Sequence, residues 1–325
     1  MSVESALSQG SLIPPWNALS NGVPIATMKT LNEIEPRQPI LAVPRSIDKP
    51  GSYYLMSSLD GSNGMNGIMI ACDDVKLDLG GFALNGTNGS LNGIVVQSQA
   101  HNITIENGVV RGWGGRGVDV AIAHESRLLG VTAFENGSDG LVIGENSQVD
   151  GCGAFKNGNS GIITSIGATV KNCKARDNGS VGISAGLASK ITDCTSLNNG
   201  MTGIAVGDYC SLRGNTSAGN DGPGITVMSK CRIVDNDSGS NTNAAGIRVT
   251  GKSNRVENNN ISNNQVGIFV EDTATDNLII RNSASRNMTN FVWGTGGNFY
   301  GELVVNPTEN FIGTPWANFD LSQGQ

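Results

Sequence analysis

Between Phe134 and Val270 the chain repeats itself at a nearly fixed interval. A glycine followed by a branched apolar residue returns at Gly140-Leu141, Gly161-Ile162, Gly182-Ile183, Gly203-Ile204, Gly224-Ile225, Gly246-Ile247 and Gly267-Ile268, in steps of 21, 21, 21, 21, 22 and 21 residues. Self-similarity at this period marks a solenoid, in which each repeat is one structural unit stacked on the next. Written at 21 residues per row, Val149, Val170, Ile191, Leu212 and Ile233 share one column, and Ile162, Ile183, Ile204, Ile225 and Ile247 share another. Two places after the second column come Thr164, Ala185, Val206, Val227 and Val249. Apolar spacing of two is strand spacing, and helical spacing of three and four is absent. Three short strands joined by tight bends use about 21 residues, and each strand pairs with its copy in the next turn at roughly 4.8 Å. The sequence therefore predicts a right-handed parallel β-helix. Counting anchors from Gly67 to Gly267 gives ten turns.

The bends carry their own columns. Asn136, Asn157, Asn178, Asn199, Asn220 and Asn241 also step by 21, and most precede a glycine. Asn tolerates the left-handed conformation of a sharp bend, and stacked amides bond along the stack. This row is expected to be an internal, structural ladder. Cys152, Cys173 and Cys194 form a column continued by Asn215 and Asn236, and Cys210 and Cys231 form another. In-register thiols have parallel Cβ vectors, a poor geometry for a disulfide, so all the cysteines are expected to be free and buried. No CxxC pair or histidine-bearing ligand spacing points to a metal site, and no cofactor motif is present.

Three segments are expected: an extended N-terminal segment and cap over residues 1–39, the β-helix over 40–291, and an aromatic-rich C-terminal cap or interface over 292–325. Ser11-Leu12-Ile13-Pro14-Pro15-Trp16 and Gly22-Val23-Pro24 look like linker, and Thr30 to Glu35 suits one helical turn before Pro36. Trp293, Phe299, Tyr300, Phe311, Trp316 and Phe319 crowd the last segment, which offers a route to a homo-oligomer. Only 15% of the residues are charged and the net charge is −7, so there is no basic footprint for nucleic acid. No apolar run is long enough to span a membrane. Nothing at the N-terminus reads as a secretory signal, so an extracellular protein here implies a signal already removed.

Pro50-Gly51-Ser52-Tyr53-Tyr54-Leu55, then Val75-Lys76-Leu77-Asp78-Leu79-Gly80-Gly81-Phe82, then repeated Asn-Gly-x-x-Gly-Ile units resemble the secreted right-handed parallel β-helix repeat proteins of the pectate-lyase-like superfamily, with NosD-like proteins a near relative. The resemblance covers about residues 40–291. It implies an extracellular or cell-surface protein with a polysaccharide or cell-surface glycan as partner. It leaves function open, because that superfamily holds polysaccharide lyases, glycoside hydrolases, epimerases, phage tailspikes and non-catalytic surface proteins. The leading expectation is a non-catalytic, carbohydrate-interacting protein. The alternatives are a lyase or hydrolase of an acidic polysaccharide and a tailspike-like receptor-binding protein.

For an enzyme, one region supplies chemistry. Arg111, Trp113, Arg116, Asp119, His124, Glu125 and Arg127 lie in the third and fourth anchored turns, and the chain's two histidines, His101 and His124, are one turn apart. A lyase needs a base for the proton α to a uronate carboxyl and a cation to neutralise that carboxylate. His124 is the candidate base and Arg116 or Arg111 the cation, with Asp119 beside them. Trp113 is the candidate sugar platform, with Glu125 and Arg127 as further substrate contacts. His101 lies eight residues after Gly93 and His124 seven after Gly117, so by counting the two histidines need not stack.

Overall fold

The computed structural model describes residues 36–307 and 314–321, together with the backbone of Leu19–Ser20 and Val23–Pro24. The chain divides into two units, Met1–Gln38 and Pro39–Gln325. In the first, Leu19–Ser20 pairs antiparallel with Val23–Pro24, so a small hairpin stands where linker was expected. The segment from Ser11 to Trp16, the turn at Thr30 to Glu35, and Phe311 lie outside the described residues.

The second unit is the β-helix. Its first sheet holds twelve parallel strands, from Arg45–Ile47 to Thr289–Val292. Ten carry the Gly–Ile anchor. The two end strands lack it, which is why anchor counting stops at ten. Each regular turn adds two more strands, as in Gln148–Asp150 and Gly153–Phe155, which build a second and a third sheet. Pairing is in register throughout: Ile162 faces Ile183, Ile183 faces Ile204, and Val149 faces Val170. The inward residues Ile162, Val170, Ile183, Ile191, Ile204 and Leu212 are fully buried. Each such side chain contributes about 1.5–3 kcal/mol. Beyond Val292 the pairing goes on, with Phe299–Tyr300 against Leu278–Ile280 and Asn318–Leu321 against Ser283–Ser285.

The early turns are longer, and their extra cross-section is filled. Trp113 is 1% exposed and its Nε1 donates to the Leu84 carbonyl at 3.1 Å. A Cβ on Gly61, Gly67 or Gly93 would strike its indole ring, so three turns are built around this side chain.

The Asn row is internal. Asn136, Asn157, Asn178, Asn199, Asn220 and Asn241 are all buried, and each amide donates to the Oδ1 of the next at 2.9–3.0 Å. The same oxygen also accepts the backbone N–H of the preceding ladder residue, as Asn178 Oδ1 does from Asn157 at 3.1 Å. The left-handed residue, however, is not the ladder Asn. It is the residue before it: Glu135, Lys156, Asp177, Asn198, Gly219 and Ser240. The bend is made one position early, which frees the Asn side chain to point down the stack. The following glycines are needed for close approach instead. A Cβ on Gly137, Gly158, Gly179 or Gly200 would meet the backbone of the turn before.

All six cysteines are free. Five are buried, whereas Cys72 is only half-buried, on the bend after Ile68–Ile70. The thiol columns run directly into two further Asn ladders. Asn215 Oδ1 caps the Cys194 N–H at 3.0 Å and leads through Asn236, Asn259 and Asn282 to Asn318. Asn254 Oδ1 caps the Cys231 N–H at 2.8 Å and leads through Asn277 to Asn298. Cys and Asn therefore occupy one structural niche, an inward bend position whose side chain must serve the neighbouring turn's backbone.

Candidate functional site

The seven residues singled out in the early turns form separate partnerships rather than one site. Arg116 Nε donates to Asp139 Oδ2 and its Nη1 to Asp119 Oδ2, both at 3.0 Å. Asp139 is buried and also accepts from the Ser160 N–H and from Asn159. Arg116 thus pins a bend, with two carboxylates already opposite its charge. Arg111 ends the strand Thr104–Arg111, and its Nε donates to Asn85 Oδ1 at 2.8 Å. Trp113, buried in the core, has no face to offer a sugar.

His124 pairs in register with His101, and the two rings stack with centroids 5.4 Å apart. The count that argued against stacking fails because three residues, Gln97 to Gln99, bridge the first pair of strands where Ala121 and Ile122 bridge the second. His124 Nδ1 lies 3.7 Å from Glu145 Oε2, and His101 Nδ1 lies 3.9 Å from Glu125 Oε2. Among the described residues no hydrogen bond or ion pair joins His124 to Arg111, Arg116 or Asp119. The base and the cation of the lyase reading thus share no direct contact among the described residues.

Glu125 and Arg127 do face a site, on the outer side of the second sheet. In each three-residue strand of that sheet the middle residue points in and its neighbours point out. Register gives one outward row as Arg127, Gln148, Thr169, Lys190, Ser211, Arg232, Arg255, Leu278 and Phe299. The parallel row is Leu129, Asp150, Lys171, Thr192, Arg213, Val234, Glu257 and Ile280. Over these rows lie two grooves. One of 570 Å³ spans Lys190 to Asp235, and one of 480 Å³ spans Glu125 to Lys190. Lys190 lines both, so the two grooves lie end to end along one trough-like face.

Charge in the trough is divided by row. The second row is paired: Lys171 sits 3.1 Å from Asp150, and Arg213 Nε donates to Asp235 at 3.1 Å. Burial pushes the Asp150 carboxyl up, but the Asn172 amide and the Lys171 ammonium outweigh it and hold the group below its ordinary value. Glu257 is buried and takes hydrogen bonds from Arg255 at 2.6 Å and Arg281 at 3.1 Å. The Arg255 contact, more than any other influence, holds its carboxyl low. The first row differs. Arg127 reaches only the amide oxygen of Asn102, at 3.4 Å, and neither it, Lys190 nor Arg232 forms an ion pair among the described residues.

Toward the C-terminal end the same face turns apolar. Arg255, Leu278, Ile280, Tyr300 and Trp316 line a pocket of 350 Å³, where the Arg281 guanidinium lies 4.3 Å over the half-exposed Trp316 ring. Of the trough residues, sequence reasoning found Glu125 and Arg127 and passed over Lys190 and Arg232. The signal was present, because 127, 190 and 232 are separated by whole multiples of 21.

The sequence model of one family, described as periplasmic copper-binding protein (NosD), matches residues 144–318. No curated protein matches the chain. Among solved structures it is similar to the A-module of the mannuronan C-5 epimerase AlgE4 of Azotobacter vinelandii, with 16% identity, a TM-score of 0.70, and coverage of 82% of this chain and 90% of that one. The AlgE6 A-module of the same organism is similar at 15% identity and a TM-score of 0.61, covering 89% and 90%. The Dettilon tailspike protein is similar at 14% identity and a TM-score of 0.63, covering 81% and 61%. These likenesses speak to the fold. The copper of the family's description finds no fitting donor set among the described residues. No three His, Cys, Asp or Glu side chains converge as ligands. The stacked histidines each face a single glutamate, and the buried thiols donate to backbone carbonyls, Cys173 to Lys171 at 3.1 Å and Cys231 to Gly207 at 3.1 Å. The family match spans more than half of the chain, and the stacking within it is unbroken: the chain belongs to the NosD family.

Proposed function

We propose that the protein is a non-catalytic β-helix protein that acts outside the cytoplasm and holds a polysaccharide chain in the trough along its second sheet. The observation that carries this reading is the pair of grooves that meet at Lys190 over the outward rows from Arg127 to Asp235, lined by charged and hydroxyl side chains. A long polymer lying along the solenoid axis meets the same backbone geometry at every turn, which suits a ligand that also repeats. The solved structures similar in fold include epimerases named for a polysaccharide substrate, and the family's description is periplasmic.

Catalysis asks for an acid and a base held apart in protonation, within reach of one bond. Asp235, which lines the trough, and Asp150, in the outward row beside it, are each tied to a cation and to an amide, Asn258 in one case and Asn172 in the other. Asp150, whose carboxyl burial pushes up but Asn172 and Lys171 hold low, makes a poor general acid. Asp193 alone lines the trough without a hydrogen bond or ion pair from its carboxylate among the described residues. Calorimetry against a panel of acidic and neutral polysaccharides tests the reading, with the same mixtures followed for unsaturated uronates and new reducing ends. Binding without either product is expected. Turnover abolished by Asp193→Asn would replace the reading with a hydrolase or lyase, and no binding to any polymer would remove it.

A further inference from the structure

The unpaired row points to the class of polymer. The protein carries 28 acidic and 21 basic side chains, so carboxylates are in excess. On the second sheet Lys171 and Arg213 of one row and Arg255 of the other form ion pairs, while among the described residues Arg127, Lys190 and Arg232 form none, although Arg232 lies near enough to Glu257 to help hold that carboxyl low. These three share one outward row and lie three turns and two turns apart. At the β spacing that is roughly 14 Å and 10 Å. The positions between them are Gln148, Thr169 and Ser211, short uncharged hydrogen-bonding side chains that line the trough without closing it. An exposed cation without an ion pair costs little by itself. Three in one row, each facing the same trough in an acidic protein, leave that row with net positive charge beside a neutralised row.

We propose that the trough takes an acidic polysaccharide, a polyuronate chain running along the solenoid axis, with carboxylates on Lys190 and Arg232, ring hydroxyls on Gln148, Thr169 and Ser211, and Arg127 adding positive charge farther along the row. This rests on the reading of the trough as a polysaccharide site. An extended pyranose chain advances per sugar by roughly the rise of one turn. Whole-turn cation spacing therefore meets carboxylates at whole-sugar spacing: a two-fold ribbon returns its carboxylate to the same side across the two turns from Lys190 to Arg232, whereas Arg127, three turns from Lys190, falls on the other side of that repeat and contributes charge only. Arginine offers a carboxylate a two-pronged contact and lysine a point charge. Nucleic acid fits poorly. Its phosphates are denser than these cations, Asp150, Asp193 and Asp235 stand on the same face, and no aromatic ring lies in the trough between Arg127 and Arg232 for a base to stack on.

The test uses the full chain, polygalacturonate and polymannuronate, and the same two polymers with their carboxyls chemically reduced to hydroxymethyl groups. Lys190→Gln and Arg232→Gln should each weaken polyuronate binding about three- to tenfold, an exposed charge-assisted contact each, and the double variant by about the product. Lys174→Gln removes an exposed cation from the third sheet and is expected to leave affinity unchanged. The wild-type affinity should fall as salt rises, and the reduced polymers should bind far more weakly. Equal binding of reduced and native polymers, or equal loss in Lys174→Gln and Lys190→Gln, overturns the polyuronate assignment and leaves polysaccharide binding standing. Tighter binding of single-stranded DNA than of either polyuronate, lost in Lys190→Gln, also overturns it. No binding of any polysaccharide, charged or reduced, sinks the underlying reading as well.

Discussion

Asn178 offers a direct test of the ladder. Its side chain makes four contacts: Nδ2 donates to the Ala154 carbonyl at 3.0 Å and to Asn199 Oδ1 at 2.9 Å, and Oδ1 accepts from the Asn157 N–H at 3.1 Å and Asn157 Nδ2 at 2.9 Å. Asn178→Ala removes all four. Asn199 Oδ1 keeps the Asn178 N–H, and Asn157 Nδ2 keeps the Ala133 carbonyl at 3.3 Å. The Asn157 N–H loses its acceptor inside the protein, where water does not replace it. One orphaned buried donor plus the lost amide bonds amounts to roughly 2–4 kcal/mol. In a chain of this size that is about 3–6 °C in melting temperature. The comparison is Asn260→Ala, an exposed strand residue whose amide donates to Asp237 at 3.2 Å, expected to change stability by less than about 0.5 kcal/mol. Equilibrium urea unfolding of both variants decides the matter. If Asn178→Ala falls within error of Asn260→Ala, the ladder carries no stability and the reasoning is wrong.

Three further outcomes follow from the same geometry. Denatured, non-reduced protein should titrate six thiols, while the native protein should expose at most Cys72. Cys173 is pushed up by hydrogen bonding with Cys152 and Cys194 and by burial, so its thiolate is unavailable at neutral pH. Finding disulfides among the five buried cysteines would contradict the stacked, parallel columns. Ile204→Ala, at a fully buried position, should cost about 2–5 kcal/mol, and a cost under 1 kcal/mol would mean the turn collapses around the cavity. Glu257, whose carboxyl is held low, stabilises the fold fully above its unfolded pKa near 4.3 and loses that contribution as pH falls through the lower folded value. Stability curves of the wild type and Glu257→Gln should therefore separate above about pH 5 and converge in stronger acid. Parallel curves would show that Arg255 and Arg281 do not hold the charged form.

The fold was legible because a solenoid writes its geometry into the sequence at one period. Gly140, Gly161 and Gly182 recur since a Cβ at each would meet the Asn side chain and glycine carbonyl of the following turn, and Asn178 recurs since the ladder fails without it. The end turns were less legible, because Arg45–Ile47 and Thr289–Val292 pair in register and bury Ile47 and Asn290 without the Gly–Ile anchor. The continuation of the thiol columns into Asn254, Asn277 and Asn298 was hidden by steps that lengthen from 21 to 23 residues. The site was harder still. Chemistry-bearing residues close in sequence, such as Trp113 and Arg116, were drawn together by proximity, whereas one turns inward to fill the core and the other pins a bend to Asp139. Neighbours in a solenoid surface are residues a whole turn apart. Arg127, Lys190 and Arg232 become one feature only when the chain is read down the columns.

The most direct test of the trough is a crystal structure of the protein soaked with a uronate hexasaccharide. The expected result is one sugar chain along the second sheet, its carboxylates within about 3 Å of Lys190 or Arg232. A sugar chain bound on the first or third sheet, or at the stacked histidines with the trough bare, would contradict it.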